Sequence, residues 1–248
     1  MKKYLIIDSK MRDIHKEYFV NLGYTLIQIP GSTNTYMEIS SHVDIFCTKI
    51  KDKIIFENNL YNILKNKEEY SNIFANSNII QGSSIVKNEY PNDIQYNICT
   101  IGNNAIHNFK YTDSTVYDLI EKYNLVKINI NQGYSKCSIA VIDSNSCIVT
   151  DKKVYKELIK IGIEALLLDN TPEINLLNGK EYSKMNGFIG GTIVRVDNKI
   201  IVFGDMKYTN NEYEIMKFVN SKGLELVDFK NCELIDYGSI VEFREEDI

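Results

Sequence analysis

Hydrophobic and polar positions follow a pattern along this chain that repeats four times. Each time, a stretch with apolar residues at helical spacing ends at a Gly or Asn, and an aliphatic strand follows at once. Gly and Asn most readily adopt the left-handed backbone that ends a helix. A stop signal used four times predicts a small structural unit that recurs. The four junctions are Leu22-Gly23-Tyr24, Tyr123-Asn124-Leu125, Ile161-Gly162-Ile163 and Lys222-Gly223-Leu224.

The unit with the clearest pattern runs from Gly187 to Phe229 and predicts the order strand, strand, helix, strand. Its first two strands flank the turn Asp197-Asn198. The sequence Thr209-x-x-Glu212 predicts a capping box that opens the helix, and a third strand follows Gly223. The same order is predicted for three other segments, which are Tyr134 to Asp169, Ile94 to Ile130 and His42 to about Gly82.

The two ends of the chain together supply a fifth unit. The N-terminal segment predicts strand Tyr4–Ile7, helix Met11–Leu22 and strand Thr25–Ile29, but no first strand. The C-terminal segment Gly238–Phe243 predicts a lone strand with no helix after it. Joined, they predict a five-bladed, pseudo-symmetric α/β propeller that forms one domain over residues 1–248 and is closed by both termini. An open α/β sheet, which also alternates strands and helices, is the alternative.

Composition narrows the classes of function. The chain has 248 residues, of which 44% are hydrophobic and 25% charged, as in soluble globular proteins. A net charge of -5 argues against a nucleic-acid partner, and no apolar run approaches the roughly 20 residues of a membrane span. Five scattered cysteines without a C-x-x-C pair predict reduced thiols in the cytoplasm. We expect neither a metal site nor a cofactor.

Five strand-strand-helix-strand units in a ring resemble the pentein fold of the guanidino-group-modifying enzymes, such as arginine deiminase and agmatine deiminase. The local likeness is at Ser41-His42-Val43-Asp44-Ile45-Phe46, which is similar to the His-x-Asp strand of those enzymes. Three further blocks resemble a bacterial pentein family of unassigned function. These blocks are Tyr90-Pro91-Asn92-Asp93-Ile94, Gly133-Tyr134-Ser135-Lys136-Cys137-Ser138 and Gly187-Phe188-Ile189-Gly190-Gly191.

The resemblance implies that His42 moves protons and that Asp44 binds the guanidinium group of a substrate. Elementary chemistry agrees, because residues two apart on a predicted strand face the same side. A carboxylate can accept two hydrogen bonds from a guanidinium, and a histidine with a pKa near 6.5 can donate and accept protons at neutral pH. A purely structural pair at the start of a strand is the alternative.

The resemblance also implies a cysteine whose thiolate attacks the guanidinium carbon, usually in the last unit of the chain. Here the last complete unit has Gly190-Gly191 at that place. Counting back from the hairpin turns puts Cys137 one position beyond the place equivalent to Asp44, which makes it our first candidate. Lys136 could lower the pKa of its thiol if the two side chains converge. Cys99 is a second candidate, while Cys47 and Cys147 are interpreted as core residues.

Other polar residues are candidates for contact with a ligand. Asp93 and Asn97 lie on or just before a first strand, so either could supply a second polar contact. His107 lies on a second strand that runs towards a helix, where Asp113 or Thr112 is interpreted as the cap. His15 lies in a predicted helix, and we expect its side chain to be exposed.

Two functions from different classes fit these residues. The first is a cysteine-dependent hydrolase or transferase that acts on a small guanidino or amidino cation, with Cys137, His42 and Asp44 in the roles given above. The second is a non-catalytic pentein that binds a small molecule or a protein partner, because the last unit lacks the expected cysteine. The fold does not decide between them, since it also serves a translation factor.

Overall fold

The computed structural model describes residues 2–177 and 185–245. Its architecture is mixed α/β, with five three-stranded sheets that share one order. In each sheet the second strand of the unit lies in the middle, antiparallel to the first strand and parallel to the third. Units 1 to 4 follow one another along the chain, and unit 5 combines the C-terminal strand with the N-terminal segment.

Each unit has a first and a second strand joined by a tight turn, except unit 5, where the first strand is the last in the chain. The first strands of units 1 to 5 are β3 (Cys47–Ile50), β6 (Cys99–Ile101), β9 (Ile139–Asp143), β13 (Ile193–Val196) and β17 (Val241–Arg244). The second strands are β4 (Lys53–Phe56), β7 (Asn104–His107), β10 (Ser146–Val149), β14 (Lys199–Val202) and β1 (Lys3–Asp8).

A helix and a third strand complete each unit. The main helices of units 1 to 5 are α3 (Asn58–Lys65), α5 (Ser114–Lys122), α7 (Lys152–Lys160), α9 (Glu212–Ser221) and α1 (Asp13–Asn21). The third strands are β5 (Ile79–Gln81), β8 (Val126–Asn129), β11 (Glu164–Leu167), β15 (Glu225–Val227) and β2 (Tyr24–Ile29). Smaller elements are α4 (Ser71–Phe74), the pair β12 (Asn175–Leu176) and β16 (Ile235–Asp236), and 3-10 turns at Met37–Ile39, Glu68–Tyr70, Phe109–Tyr111 and Met206–Thr209.

The helix stops predicted from the sequence are confirmed. Gly23, Asn124, Gly162 and Gly223 have φ values of 85°, 51°, 80° and 68°, in the left-handed region that Gly and Asn tolerate best. The predicted cap at Asp113 is also confirmed, since its carboxylate accepts the N–H of Val116 at 3.2 Å. The capping box at Thr209 was wrong, because Thr209 belongs to the 3-10 turn and α9 begins only at Glu212.

The second strands are buried on both faces, and each face packs against a different neighbour. Successive residues of a strand point to opposite sides. In β14, Ile200 packs in a cluster with unit 3 while Ile201 packs in a cluster with unit 5. In β10, Ile148 packs towards unit 4 and Cys147 towards unit 2. A further cluster joins units 5, 1 and 2, which explains why these strands are continuous apolar runs.

One helical turn precedes three of the first strands. These turns are α2 (Val43–Phe46), α6 (Ser135–Ser138) and α8 (Ile189–Thr192). In unit 1 the sequence predicts a strand from Asp44 to Ile50, which is confirmed for Cys47–Ile50 and wrong for the three residues before it. The Asp44 N–H donates to the carbonyl of Gly238 at 2.8 Å, and the apolar residues of α2 are all buried, so tertiary packing overrides their strand propensity.

No helix in the described residues has the length and apolar character needed to cross a membrane.

Candidate active site

The turns before the first strands bring equivalent residues of different units together. The residue two positions before each first strand is Ile45, Asn97, Cys137, Gly191 or Ser239 in units 1 to 5. These turns contact one another through Asp44 and Gly238, through Asn97 and Cys137, and through Gly190 and the carbonyl of Cys137. The repeat therefore brings these short segments together, and most of the polar candidate residues lie where they meet.

Cys137 lies at the centre of this place, held by two of the other candidates. Its thiol donates to Asp44 Oδ2 over 2.9 Å, and Asn97 Nδ2 donates to its sulfur over 3.0 Å. Asn97 Oδ1 accepts the backbone N–H of Cys137 at 3.3 Å, so the amide holds both the backbone and the side chain of the cysteine. All three side chains are buried. Asn97 also donates to the Asp44 carbonyl at 3.1 Å, which fixes the two segments relative to each other.

A second carboxylate, Asp236, lies beside Asp44 and Cys137 and was missed by the sequence analysis. The backbone N–H groups of Phe188 and Gly238 each donate to it at 2.8 Å. Asp236 lies five residues before β17, as His42 lies five residues before β3. This equivalence can be read from the sequence, but the predicted fifth unit begins at Gly238 and so leaves out Asp236.

His42 lies between two carboxylates. Its Nδ1 is 4.0 Å from Asp236 Oδ1, and its Nε2 is 3.9 Å from Asp8 Oδ2, which is too far for hydrogen bonds. Asp8 is also buried and accepts a hydrogen bond from the Ser41 hydroxyl at 2.6 Å. Asp8 follows a plain apolar strand, and nothing in its local sequence distinguished it.

Burial shifts the acid–base properties of the whole group towards neutral forms. It raises the pKa of Asp44 to about 6 and that of Asp236 to about 7, and the charge of Asp44 adds to the shift of Asp236. Burial, with a smaller effect from Lys10, lowers the pKa of His42 to about 3. The pKa of Cys137 is raised well above its ordinary value by burial and by the two aspartates.

This electrostatic arrangement favours a cation. Among the described residues, no Lys or Arg side chain forms an ion pair with Asp44 or Asp236, and Asp44 Oδ1 has no hydrogen-bond partner. A buried carboxylate without a partner is costly. A planar cation would neutralise the pair and supply the missing donors. No group of three or more His, Cys, Asp or Glu in the described part of the chain is arranged to hold a metal ion.

Asp93 lies outside the group of side chains that contact Cys137. It is buried, and its carboxylate accepts hydrogen bonds from the hydroxyls of Tyr36, at 3.3 Å, and Tyr134. The Tyr134 ring packs against Phe188, with centroids 5.8 Å apart, and the Phe188 N–H in turn holds Asp236. Asp93 is thus linked to the group around Cys137 through two aromatic side chains, without direct contact.

A family model of unknown function, DUF6873, matches residues 6–241. The chain belongs to the DUF6873 family. No curated protein sequence matches this DUF6873 protein.

Solved structures show which fold this DUF6873 protein has. An inosamine-phosphate amidinotransferase of Streptomyces griseus superposes with a TM-score of 0.58 at 10% identity, over 93% of this chain and 78% of the other. Agmatine deiminase of C. jejuni gives 0.54 at 15% identity, over 94% and 91%. Dimethylarginine dimethylaminohydrolase of Pseudomonas aeruginosa, in complex with citrulline, gives 0.54 at 12% identity, over 92% of each chain. All three are penteins, so the predicted resemblance is confirmed for the fold.

The other two histidines of the DUF6873 protein lie away from Cys137. His107 is buried, and its Nδ1 is 2.6 Å from the Thr112 hydroxyl. None of its contacts in the described residues involves Cys137, His42 or Asp44. The prediction that His15 is exposed was wrong: α1 packs His15 against Phe229, with ring centroids 4.2 Å apart, and its Nδ1 is 2.9 Å from the Tyr237 hydroxyl.

His15 should make the protein sensitive to acid. Burial, followed by the charge of Arg12, lowers its folded pKa to about 4, against about 6.5 in the unfolded chain. As the pH falls from about 6.5 to 4, only the unfolded state takes up the proton, so stability is lost, by roughly 3 kcal/mol in full. We expect His15→Phe to reduce the pH dependence of the free energy of unfolding, measured with urea between pH 7 and 4.5. An unchanged slope would show that His15 titrates normally.

Gly190 and Gly191 let the backbone of α8 approach the site closely. A Cβ on Gly191 would lie 1.7 Å from Asp236 Oδ1, and one on Gly190 would lie 2.3 Å from the Lys136 carbonyl oxygen. We expect Gly191→Ala to destabilise the protein by at least about 2 kcal/mol and to displace Asp236. Gly162→Ala is the control, because it has a left-handed φ of +80° but no atom within 4 Å, and should cost only about 1 kcal/mol. Equal losses in the two thermal melts would argue against crowding at Gly191.

Proposed function

We propose that this protein is a cysteine-dependent hydrolase or amidino transferase for a small guanidino or amidino cation. The observation that carries the proposal is the buried contact of 2.9 Å between the Cys137 thiol and the Asp44 carboxylate, with Asp236 beside both. We also propose that the five units close into a pseudo-symmetric propeller around this group. The apolar clusters that join each unit to its two neighbours support that arrangement.

The two aspartates bind the cation. Asp44 and Asp236 are both buried and share negative charge, so a planar guanidinium gains charge-assisted hydrogen bonds there. The same cation lowers the cost of forming a thiolate next to it. In the resting protein, burial keeps the thiol protonated. Binding of the correct ligand therefore activates Cys137, and an empty site protects it from oxidation.

The chemistry then proceeds in two steps. The Cys137 thiol passes its proton to His42, which burial keeps neutral in the resting protein. The Asp8 and Asp236 carboxylates, about 4 Å from its two nitrogens, stabilise the imidazolium that forms. The thiolate forms a C–S bond to the guanidinium carbon, the C–N bond breaks, and the departing amine carries away the proton from His42. The amidino group stays on the sulfur as a cationic thiouronium, still held by Asp44.

In a hydrolase, water attacks this thiouronium and gives one proton to His42. The C–S bond breaks, the second proton of the water passes to the sulfur and restores the thiol, and the neutral ureido product leaves. His42 then releases its proton to solvent. In a transferase, a second amine replaces the water and accepts the amidino group. Two further residues act through Cys137 and His42. Asn97 positions Cys137, and Asp8 lies beside Nε2 of His42.

A panel of guanidino compounds tests the proposal. We expect release of ammonia or an amine, with a ureido product, from at least one of arginine, agmatine and dimethylarginine. The ammonia assay and mass spectrometry of the products should agree in amount. If none of these compounds and no amine acceptor gives turnover, the catalytic proposal fails.

A non-catalytic binding protein is the second candidate. It is favoured by the protonated state of Cys137 and by Ser239, which occupies the position equivalent to Cys137 in the last unit. This candidate predicts that a cationic ligand raises the melting temperature of Cys137→Ser as much as that of the wild type, while neither protein turns the ligand over. Turnover by the wild type would exclude it.

A further inference from the structure

A cavity of about 190 Å³ lies between the five first strands, and it is separate from the thiol of Cys137. Its volume is far above the ~10–15 Å³ that a single water molecule needs. It shares Lys49, Arg195 and Glu242 with a shallow surface depression that also includes Asp197 and Arg244. The cavity is therefore reached from the side of the hairpin turns, and Asp44 lies in its wall.

Every unit contributes at least one hydrogen-bond donor to the wall of this cavity. Three donors are hydroxyls, which have no hydrogen-bond partner within the described part of the chain, and three are cationic groups. In the order of units 1 to 5, the donors are Thr48 and Lys49, Thr100, Lys136, Arg195 and Ser239.

Two of the three cationic groups, Lys136 and Arg195, lack a carboxylate partner among the described residues. Arg195 donates from Nε to the carbonyl of Asp197 and from Nη1 to the carbonyl of Ile142, both at 3.0 Å. Across residues 2–177 and 185–245, neither Arg195 nor Lys136 forms an ion pair. Lys136 is half-buried and Arg195 is exposed. Cations without a counter-ion, next to free hydroxyl donors, favour an anionic oxygen ligand.

Both acidic groups in the wall accept hydrogen bonds from the protein itself, and of their oxygens Asp44 Oδ1 has no partner among the described residues. The Glu242 carboxylate accepts the Tyr24 hydroxyl at 2.6 Å and the Asp197 N–H at 3.1 Å. Asp44 Oδ2 accepts the thiol of Cys137. The cavity therefore offers donors and positive charge to a ligand, although the whole chain has a net charge of -5.

The backbone at Ser239 supports a built site. Its φ is +68°, a conformation that residues other than Gly rarely adopt. Ser239 is buried and lines the cavity. A side chain with a hydroxyl is therefore kept at a position where Gly would be less strained.

We propose that this cavity is a binding site for a small oxyanion, phosphate or carboxylate, which accepts hydrogen bonds from one side chain of each unit. Lys136 and Arg195 supply its counter-charge. The site does not include Cys137, but Asp44, a proposed ligand of the guanidinium, lies in its wall. Lys136 is adjacent to Cys137 in sequence and its charge acts on Asp44. An anion bound here would reduce the effect of the Lys136 charge on Asp44. We therefore expect a bound anion to change the affinity with which Asp44 and Asp236 bind a cation.

Titration with inorganic phosphate, with acetate as a second arm, tests this proposal by isothermal calorimetry at constant ionic strength. We expect saturable binding of one or both, and at least a tenfold weaker Kd in Arg195→Gln and in Lys136→Gln. Arg12→Gln is the matched control, because Arg12 lies away from the cavity and its nearest carboxylate is Glu233 at 4.0 Å. Preference for phosphate or for acetate identifies which oxyanion the site takes.

Thr100→Val provides a second variant, since it removes a half-buried hydroxyl and keeps the shape of a strand residue. It should weaken binding without changing the thermal melt of the free protein. Absence of saturable binding to the wild type, or equal affinities in the wild type and all cavity variants, would overturn the proposal. Neither outcome depends on whether the protein turns over guanidino compounds.

Discussion

Replacing Cys137 with Ser is expected to abolish turnover of the guanidino substrate while leaving the fold intact. A hydroxyl fits where the thiol lies and can still donate to Asp44 Oδ2, so the packing is preserved. A hydroxyl is a much weaker nucleophile than a thiol. In its resting state the site also offers no cation that could activate the hydroxyl. We expect kcat/KM to fall on the order of 10³-fold or more, measured as product formation with the best compound of the panel.

Cys147→Ser is the matched control for this change. Cys147 is also a buried cysteine, but it lies on β10 among the apolar side chains that join units 2 and 3. Its replacement should cost stability and leave kcat/KM nearly unchanged in the protein that remains folded. If the two variants lose activity equally, or if Cys137→Ser retains wild-type activity, then Cys137 is not the nucleophile.

Asp44→Asn is expected to change activity and stability in opposite directions. The amide can still accept the hydrogen bond from Cys137, but it no longer neutralises a bound cation. Loss of one partner of a buried charge pair costs several kcal/mol, so we expect kcat/KM to fall by about 10²-fold or more. The matching loss of affinity should appear in calorimetry with the same compound on the Cys137→Ser background.

The effect on stability follows from the pKa of Asp44. Its folded pKa of about 6 lies above the value of about 3.9 in an unfolded chain. The ionised form is therefore unfavourable in the folded protein, and stability is lost as the pH rises from about 4 through about 6. Relative to the wild type, Asp44→Asn should gain up to about 3 kcal/mol between pH 4 and pH 8 in urea unfolding. A difference that does not change with pH would contradict the assigned environment of Asp44.

These opposite effects are what a binding site produces when it keeps an unfavourable charge for its ligand. In a structural role, Asp44 would stabilise the protein, and its loss would lower stability and activity together. The comparison therefore separates the two interpretations of His42-Val43-Asp44 that the sequence left open.

The repeat was readable from the sequence because its signals are local. A helix stop such as Gly162 requires a left-handed backbone, and few residues tolerate it. The continuous apolar second strands also follow from burial on both faces. The turns before the first strands were not readable, because Val43–Phe46 alternates like a strand and becomes helical only when it docks against Gly238.

The candidate site was predictable in part for the same reason. Asp44 was found through the resemblance of its segment to the His-x-Asp strand, Cys137 by counting within units, and Asn97 by its place on or just before a first strand. Asp236 and Asp8 belong to segments that are distant from His42 in the chain. Only the packed structure brings their carboxylates close to His42. The burial of His15 is a similar case, since its partner Tyr237 lies 222 residues away.

The most direct test of the account is the site of labelling by 2-chloroacetamidine, a cation that mimics an amidinium and alkylates the thiolate it meets. Intact protein and its tryptic peptides would be analysed by mass spectrometry, with iodoacetamide as the neutral comparison. The account predicts a single adduct on Cys137, formed faster with the amidine than with the neutral reagent, and lost in Asp44→Asn. Labelling that is no faster at Cys137 than at Cys147, or that is unaffected by Asp44→Asn, would contradict it.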